Sequence, residues 1–190
     1  FHFAYFYKHV RERSGKRTGK LRCLDLFAGA GGMSQGLHMA GFQTVLAVEK
    51  DPKAAQAFQA NHPDAIVENR CVIEHLDEHR DNAAYKRKIG PIDHVHGSPP
   101  CQGFSGANVF GGKNDKANND LSLTWVRAID QYRPVTGTLE NVPGMWRRKN
   151  QHYLKLILMG LLQLGYQVRC CQLDACEFGD PQARPRLFIF

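Results

Sequence analysis

Long apolar runs are missing from this sequence, and so are cysteines paired for a metal. No stretch approaches the roughly 20 apolar residues that a membrane helix needs, so no membrane-crossing helix is expected. Cysteines stand at 23, 71, 101, 170, 171 and 176, with no Cys-x-x-Cys and no Cys/His spacing of the zinc kind. No metal is expected on them, and reduced thiols of an intracellular protein are the reading preferred. The opening, Phe1 to Tyr7, is aromatic rather than a charged segment followed by an apolar one, which argues against a secretory signal. The sequence does not begin with Met, and a piece of a longer protein is the expectation. It holds no internal repeat and no low-complexity segment.

What is present fits one domain with a real core: 190 residues, 43% hydrophobic and 23% charged. The net charge of +7 favours a polyanionic partner. Part of that excess lies in Lys8 to Arg22, read as a flexible basic lead-in, so that residues 1–20 precede a domain over 21–190. Arg147, Arg148 and Lys149 form a second basic cluster.

Short apolar runs alternate with helical spacings along the chain. Strands are expected at Leu21 to Phe27, Gln43 to Val48, Ala65 to Val67, Ile92 to His96, Val135 to Leu139, Tyr166 to Leu173 and Leu187 to Phe190. Helices are expected at Met33 to Met39, after the Asp51-Pro52 start, near Ile73 to Arg80, at Leu121 to Tyr132 and from Tyr153 to Gly165. Gly103 to Asn119 is rich in Gly, Asn and Lys and reads as a loop. The alternation predicts an α/β fold of the Rossmann-like kind, with a mainly parallel twisted sheet and helices on both faces. In such sheets ligands bind beyond the carboxyl ends of the strands, where Phe27-Gly29, Glu49, Pro100-Cys101 and Glu140 are expected to gather.

Four constellations carry chemistry. Asp25 to Gly32 is a glycine-rich strand-to-helix turn, and Glu49 follows the next strand. Glycines let a backbone approach a ligand at a helix N-terminus, and the acid can accept from ribose hydroxyls. That pattern fits a nucleotide-like cofactor, NAD or S-adenosylmethionine; the NAD fingerprint places a third glycine where Ser34 stands. Gly97-Ser98-Pro99-Pro100-Cys101-Gln102-Gly103-Phe104-Ser105 presents one thiol behind a stiff Pro-Pro step, as a nucleophile of defined orientation requires. Glu140-Asn141-Val142 sets a carboxyl at a strand end, able to donate a proton to a bound base. Gln182-x-Arg184-x-Arg186 aligns two arginines on one face of an extended segment.

Taken together and in this order, the four resemble the motifs of the cytosine-C5 DNA methyltransferases that use S-adenosylmethionine. The resemblance runs from about Leu21 to the last residue. It implies that Cys101 adds to C6 of a cytosine flipped out of duplex DNA and forms a covalent adduct. Glu140 would contact N3 and the exocyclic amine, Arg186 the cytosine O2, and Arg184 the nucleophile and a neighbouring phosphate. Asn141 would brace the Pro-Cys loop, while Ser105 and Gln182 would lie on the DNA side. On the cofactor side the resemblance places Phe27, Ala28, Gly29, Gly31, Gly32, Met33, Glu49, Lys50, Cys71, Pro99 and Leu121.

The sequence departs from the family pattern in three places. Arg70 stands where the family has an acid for the adenine amine, with Glu68 as its alternative, and Lys50 stands where a bulky apolar residue is common. The family's target-recognition region and last two motifs do not follow Arg186, so they are expected in the parent chain or another chain. A tRNA cytosine-C5 methyltransferase and a catalytically silent regulatory relative are the competing readings. Gly103-Phe104-Ser105 and Gln182 favour DNA, and the retained Cys101 and Glu140 favour activity. An intracellular location follows, at chromatin if the source is a nucleated cell.

Overall fold

The computed structural model describes residues 12, 19–100 and 115–190. Most of the lead-in, Cys101, Ser105 and the glycine-rich stretch up to residue 114 lie outside the described residues. In chain order the strands are β1 (Leu21–Leu26), β2 (Phe42–Glu49), β3 (Ile66–Asn69), β4 (His94–Gly97), β5 (Thr136–Asn141), β6 (Cys170–Asp174) and β7 (Pro185–Ile189). The helices are α1 (Gly32–Met39), α2 (Pro52–Asn61), α3 (Val72–His79), α4 (Ala83–Ile89), α5 (Asp115–Tyr132) and α6 (Gln151–Gln163). The strand order is β3-β2-β1-β4-β5-β7-β6. Two compact units divide the chain: Phe1–Gly97 with Gln131–Gly137, and Ser98–Asp130 with Thr138–Phe190.

In the first unit β1 pairs in parallel with both β2 and β4, and β2 pairs in parallel with β3. These strands are buried on both faces, as their near-continuous apolar runs require: Leu24, Leu26, Leu46, Ala47, Val48 and Val95 are all fully buried. The order β3-β2-β1-β4 reverses direction at β1, which opens a crevice beyond the carboxyl ends of β1 and β4. Asp51 caps α2 by accepting from the N–H groups of Lys53 and Ala54, both at 2.9 Å, and Pro52 fills the first helical position. Phe58 on that helix packs on Ala28, Ala47 and Ala65. Burial of such a ring contributes about 1.5–3 kcal/mol, and it seats α2 beneath the turn that follows β1.

The second unit is antiparallel: β7 pairs with β5 and with β6. Its core is Trp125, Ile129, Leu139, Met145, Ile157, Leu161, Leu187 and Ile189. Gly160 lets α6 approach α5, because a Cβ there would stand 2.8 Å from Cγ1 of Val126.

Several boundaries differ from the sequence expectation. α4 is a helix not anticipated, started by Asn82, whose side chain accepts from the N–H of Tyr85 at 2.9 Å. α5 begins at Asp115, so residues 115–119 are helical rather than loop. Glu140 and Asn141 lie inside β5 rather than after it, because β7 extends the ladder with Phe188 opposite Glu140 and Leu187 opposite Asn141. Arg186 likewise lies inside β7. Among the described residues no helix is long and apolar enough to cross a membrane.

Candidate active site

The turn after β1 is built by backbone geometry that only a few residues tolerate. Phe27, Gly29 and Gly31 all have positive φ, at 58°, 55° and 92°. The N–H groups of Phe27 and Ala28 both donate to the carbonyl of Val48, at 3.0 and 3.3 Å, so the turn is clamped onto the end of β2. Glu49 completes the clamp: its Oε2 accepts from Gly29 N–H at 2.8 Å and its Oε1 from Asp51 N–H at 2.7 Å. One carboxylate thus ties the glycine turn to the start of α2, and each oxygen keeps a lone pair for another donor.

A Cβ at Gly29 or Gly32 would meet nothing within 4 Å, whereas at Gly31 it would stand 2.6 Å from the His62 ring. The turn is therefore open on one side and braced on the other. The brace is made by Asn61 Nδ2, donating to Ala30 O at 2.9 Å, and by His62 Nε2, 3.0 Å from Gly31 O. Open backbone at Gly29 and Gly32, beside a carboxylate with spare acceptor capacity, leaves room for a ligand that donates hydrogen bonds, as the hydroxyls of a nucleoside do. Met33 and Ala28 flank that opening in sequence, and Lys50 is exposed beside it.

Ser34 has a defined task. Its Oγ donates to Asp25 Oδ2 at 2.6 Å and accepts from Thr44 Oγ1 at 2.8 Å, and all three side chains are buried. Burial pushes the Asp25 carboxyl up to about 7, with the charge of Glu49 adding and the Ser34 hydrogen bond opposing. A glycine at position 34 would leave the Asp25 carboxyl without this donor.

Cys71 caps the N-terminal side of α3, next to Arg70, whose N–H donates to Glu49 O at 3.1 Å. Asn69 Nδ2 bridges the carbonyls of Glu49 and Lys50 at 2.9 and 3.0 Å. Glu49, Lys50 and Cys71 are thereby held together at one end of β2 and β3. Both side chains at this place have other partners: Arg70 pairs with Glu78 at 2.6 Å, and Glu68, the acid alternative for the adenine contact, accepts from Tyr85 and stands 2.7 Å from His75 Nδ1.

In the second unit the central feature is an ion pair. Glu140 Oε1 lies 2.8 Å from Arg186 Nε, with about a fifth of each side chain exposed. Burial raises the Glu140 carboxyl above the usual glutamate range, while the charges of Arg186 and Arg184 pull it back. Arg184 is exposed; its N–H donates to Asp174 Oδ1 at 2.7 Å. Gln182 is exposed in the same turn. Asn141 is buried; its Oδ1 accepts from Val142 N–H at 2.8 Å, and its Nδ2 has no hydrogen-bond partner among the described residues. Pro99 is buried and Leu121 half-buried on α5, both in this unit.

A profile described as C-5 cytosine-specific DNA methylase matches residues 21–190. The chain belongs to that family. It is 38% identical over 179 residues to the DNA (cytosine-5)-methyltransferase PliMCI of Paracentrotus lividus, covering 90% of this chain and 11% of that protein. It is 35% identical over 171 residues to the type II methyltransferase M.AgeI of Thalassovita gelatinovora, covering 90% of this chain and 39% of that protein. Among solved structures, an E. coli prophage DNA modification methyltransferase superposes with a TM-score of 0.72 at 28% identity, over 89% of this chain and 45% of that one. The chain thus spans less than half the length of each of these methyltransferase relatives.

For a C-5 cytosine methylase, the bracing residues Asn61, His62 and Asn69 are the ones sequence reasoning passed over. Asn at the end of a strand or helix is the only signal they carry, and it is shared with ordinary turns. His75 and His79 stand outside every cysteine spacing, and the signal they carry is their separation of four along α3.

Proposed function

We propose that this chain is part of the catalytic domain of a DNA cytosine-C5 methyltransferase and that its glycine turn serves the cofactor while its Glu140–Arg186 pair serves the base. The Glu140–Arg186 pair carries the reading: a carboxyl raised by burial and held 2.8 Å from a guanidinium suits the two edges of cytosine. Glu140 donates its proton to N3 and accepts from the exocyclic amine, while Arg186 donates to O2. Protonation at N3 draws electrons from the ring, so the Cys101 thiolate adds to C6 and C5 becomes the electron-rich end of an enamine. S-adenosylmethionine, when bound, supplies an electrophilic methyl group for C5. Loss of the C5 proton to a base then expels the Cys101 thiolate from C6, and the N3 proton returns to Glu140. The glycine turn and Glu49 hold the cofactor with Lys50 and Cys71 beside them, the family resemblance adds Pro99 and Leu121 as cofactor residues, and Asn141, whose Nδ2 has no partner among the described residues, braces the Pro-Cys loop. Ser105, Gln182 and Arg184 meet the DNA backbone, which the net charge of +7 favours. The place of action is wherever that DNA is, chromatin in a nucleated cell.

Methyl transfer from labelled S-adenosylmethionine to duplex DNA and to tRNA, assayed side by side with the intact natural protein, tests the substrate. Incorporation into DNA is expected. Incorporation into tRNA alone moves the reading to the tRNA enzymes, and incorporation into neither favours a silent regulatory relative.

A further inference from the structure

Away from the glycine turn and the Glu140–Arg186 pair, the first unit holds a cluster of ligand-type side chains. Glu68 projects from β3, and His75 and His79 from α3. Four residues apart, the two histidines share one helix face. Both are buried, at 0% and 5% exposure. His75 Nδ1 lies 2.7 Å from Glu68 Oε2, and His79 Nε2 lies 3.6 Å from Glu68 Oε1. One ligand atom from each of the three residues fits within 4.8 Å of the other two.

Two features separate this cluster from an ordinary buried hydrogen-bond network. The first is His79. Its Nδ1 is buried with no hydrogen-bond partner among the described residues, and its Nε2 stands beyond hydrogen-bond length from both Glu68 and Glu78, at 3.6 and 4.0 Å. A neutral imidazole with no partner among the described residues keeps a lone pair free for a ligand. The second is the outer layer. His75 Nε2 faces Tyr132 Oη at 2.8 Å, Tyr85 donates to Glu68 Oε1, and the Tyr85 ring stacks on His79 with centroids 3.5 Å apart. Metal-bound imidazoles hand their second N–H to a fixed acceptor, and metal-bound carboxylates are themselves hydrogen-bonded. Arg70 is the nearest opposing charge, 3.7 Å from Glu68, and its closer contact is with Glu78 at 2.6 Å.

We propose that Glu68, His75 and His79 form a binding site for one divalent transition-metal ion, of which zinc best suits two imidazoles and a carboxylate. With bonds of about 2.0–2.2 Å, such an ion holds tetrahedral donors about 3.4 Å apart, so the 2.7 Å His75–Glu68 contact opens to admit it and the wider separations close. Three protein ligands leave a fourth position to water. The ion clips β3 to α3 one residue before Asn69, the side chain that holds the Glu49 and Lys50 carbonyls. This inference does not depend on the methyl-transfer reading.

The test uses the intact protein stripped with EDTA, then given Zn2+ or Co2+ alone. Uptake of about one ion per chain is expected, with a rise in Tm and, for Co2+, the visible absorption of a four-coordinate site. His79→Gln is expected to lose both the uptake and the Tm rise. His79→Cys is expected to keep the ion and add a thiolate-to-Co2+ charge-transfer band, which guards against a Gln variant that merely fails to fold. Uptake by His79→Gln equal to that of the parent, or a Co2+ spectrum from His79→Cys without the thiolate band, overturns the proposal.

Discussion

Glu140→Gln is expected to slow methyl transfer to DNA by roughly 10²–10⁴-fold, the usual contribution of a positioned proton donor. Glutamine keeps the size of the side chain and can still donate a hydrogen bond, but it cannot deliver a proton to N3 or take one back. It also dissolves the 2.8 Å pair with Arg186, so the guanidinium loses the partner that fixes it. Truncating one partner of a partly buried pair costs more than the pair contributes, because the other charge is left uncompensated. Affinity for S-adenosylmethionine is expected to stay near that of the parent, since the hydrogen bonds that hold the glycine turn and Glu49 run to Val48 and Asp51 and not to Glu140. Single-turnover rates, with calorimetric cofactor binding beside them, check both halves. A parent-like rate removes Glu140 from the chemistry, and a parallel loss of cofactor affinity assigns it a structural task instead.

The second large effect is loss of stability in mild acid. His94 and His96 are fully buried in β4, and burial holds both imidazoles down at about 3. Their ordinary value is 6.5, so between pH 6.5 and 3 the unfolded chain binds two protons that the folded chain refuses. Their contribution to stability is complete above about 6.5 and is lost as pH falls through that window. Asp25 acts in the opposite sense: raised to about 7 from 3.8, it favours the folded state as pH falls from 7 toward 4. At about 1.4 kcal/mol per pKa unit, two histidines outweigh one aspartate by about 3 kcal/mol at pH 4 and about 5 kcal/mol at pH 3. The larger figure matches the whole stability of many domains, so cooperative unfolding is expected as pH falls from about 4 to 3. Thermal melts from pH 3 to 8 measure it. Replacing both histidines with glutamine is expected to flatten the acid limb, and an unchanged limb assigns the acid lability to other groups.

Those histidines mark where sequence reading fails. Ile92 to His96 reads as an apolar run because strand periodicity does not distinguish a neutral buried imidazole from an apolar side chain. The structure satisfies His94 through Thr136 Oγ1 at 2.9 Å, a partner 42 residues away that no local pattern announces. The same holds for α3, whose polar composition hides four buried positions, His75 and His79 among them. α4 escapes because seven residues with three basic side chains show little amphipathic period.

What was legible had local causes. Asp51-Pro52 starts α2 because a carboxylate and a fixed φ act within one turn. The glycine turn was legible because positive φ restricts residue choice, although Phe27 at 58° obeys no such rule. Glu140 was found by its neighbours in sequence, but its pairing with Arg186 required the antiparallel register of β5 and β7, which sequence spacing does not contain.

The most direct measurement is covalent trapping on duplex DNA containing 5-fluorocytosine, with S-adenosylmethionine present. Fluorine at C5 blocks the elimination that frees the cysteine, so a working enzyme stays attached to its DNA. With the intact natural protein, a denaturant-stable adduct is predicted, and it disappears in Cys101→Ala. No adduct from a protein that still binds cofactor, or an adduct that survives Cys101→Ala, contradicts the account.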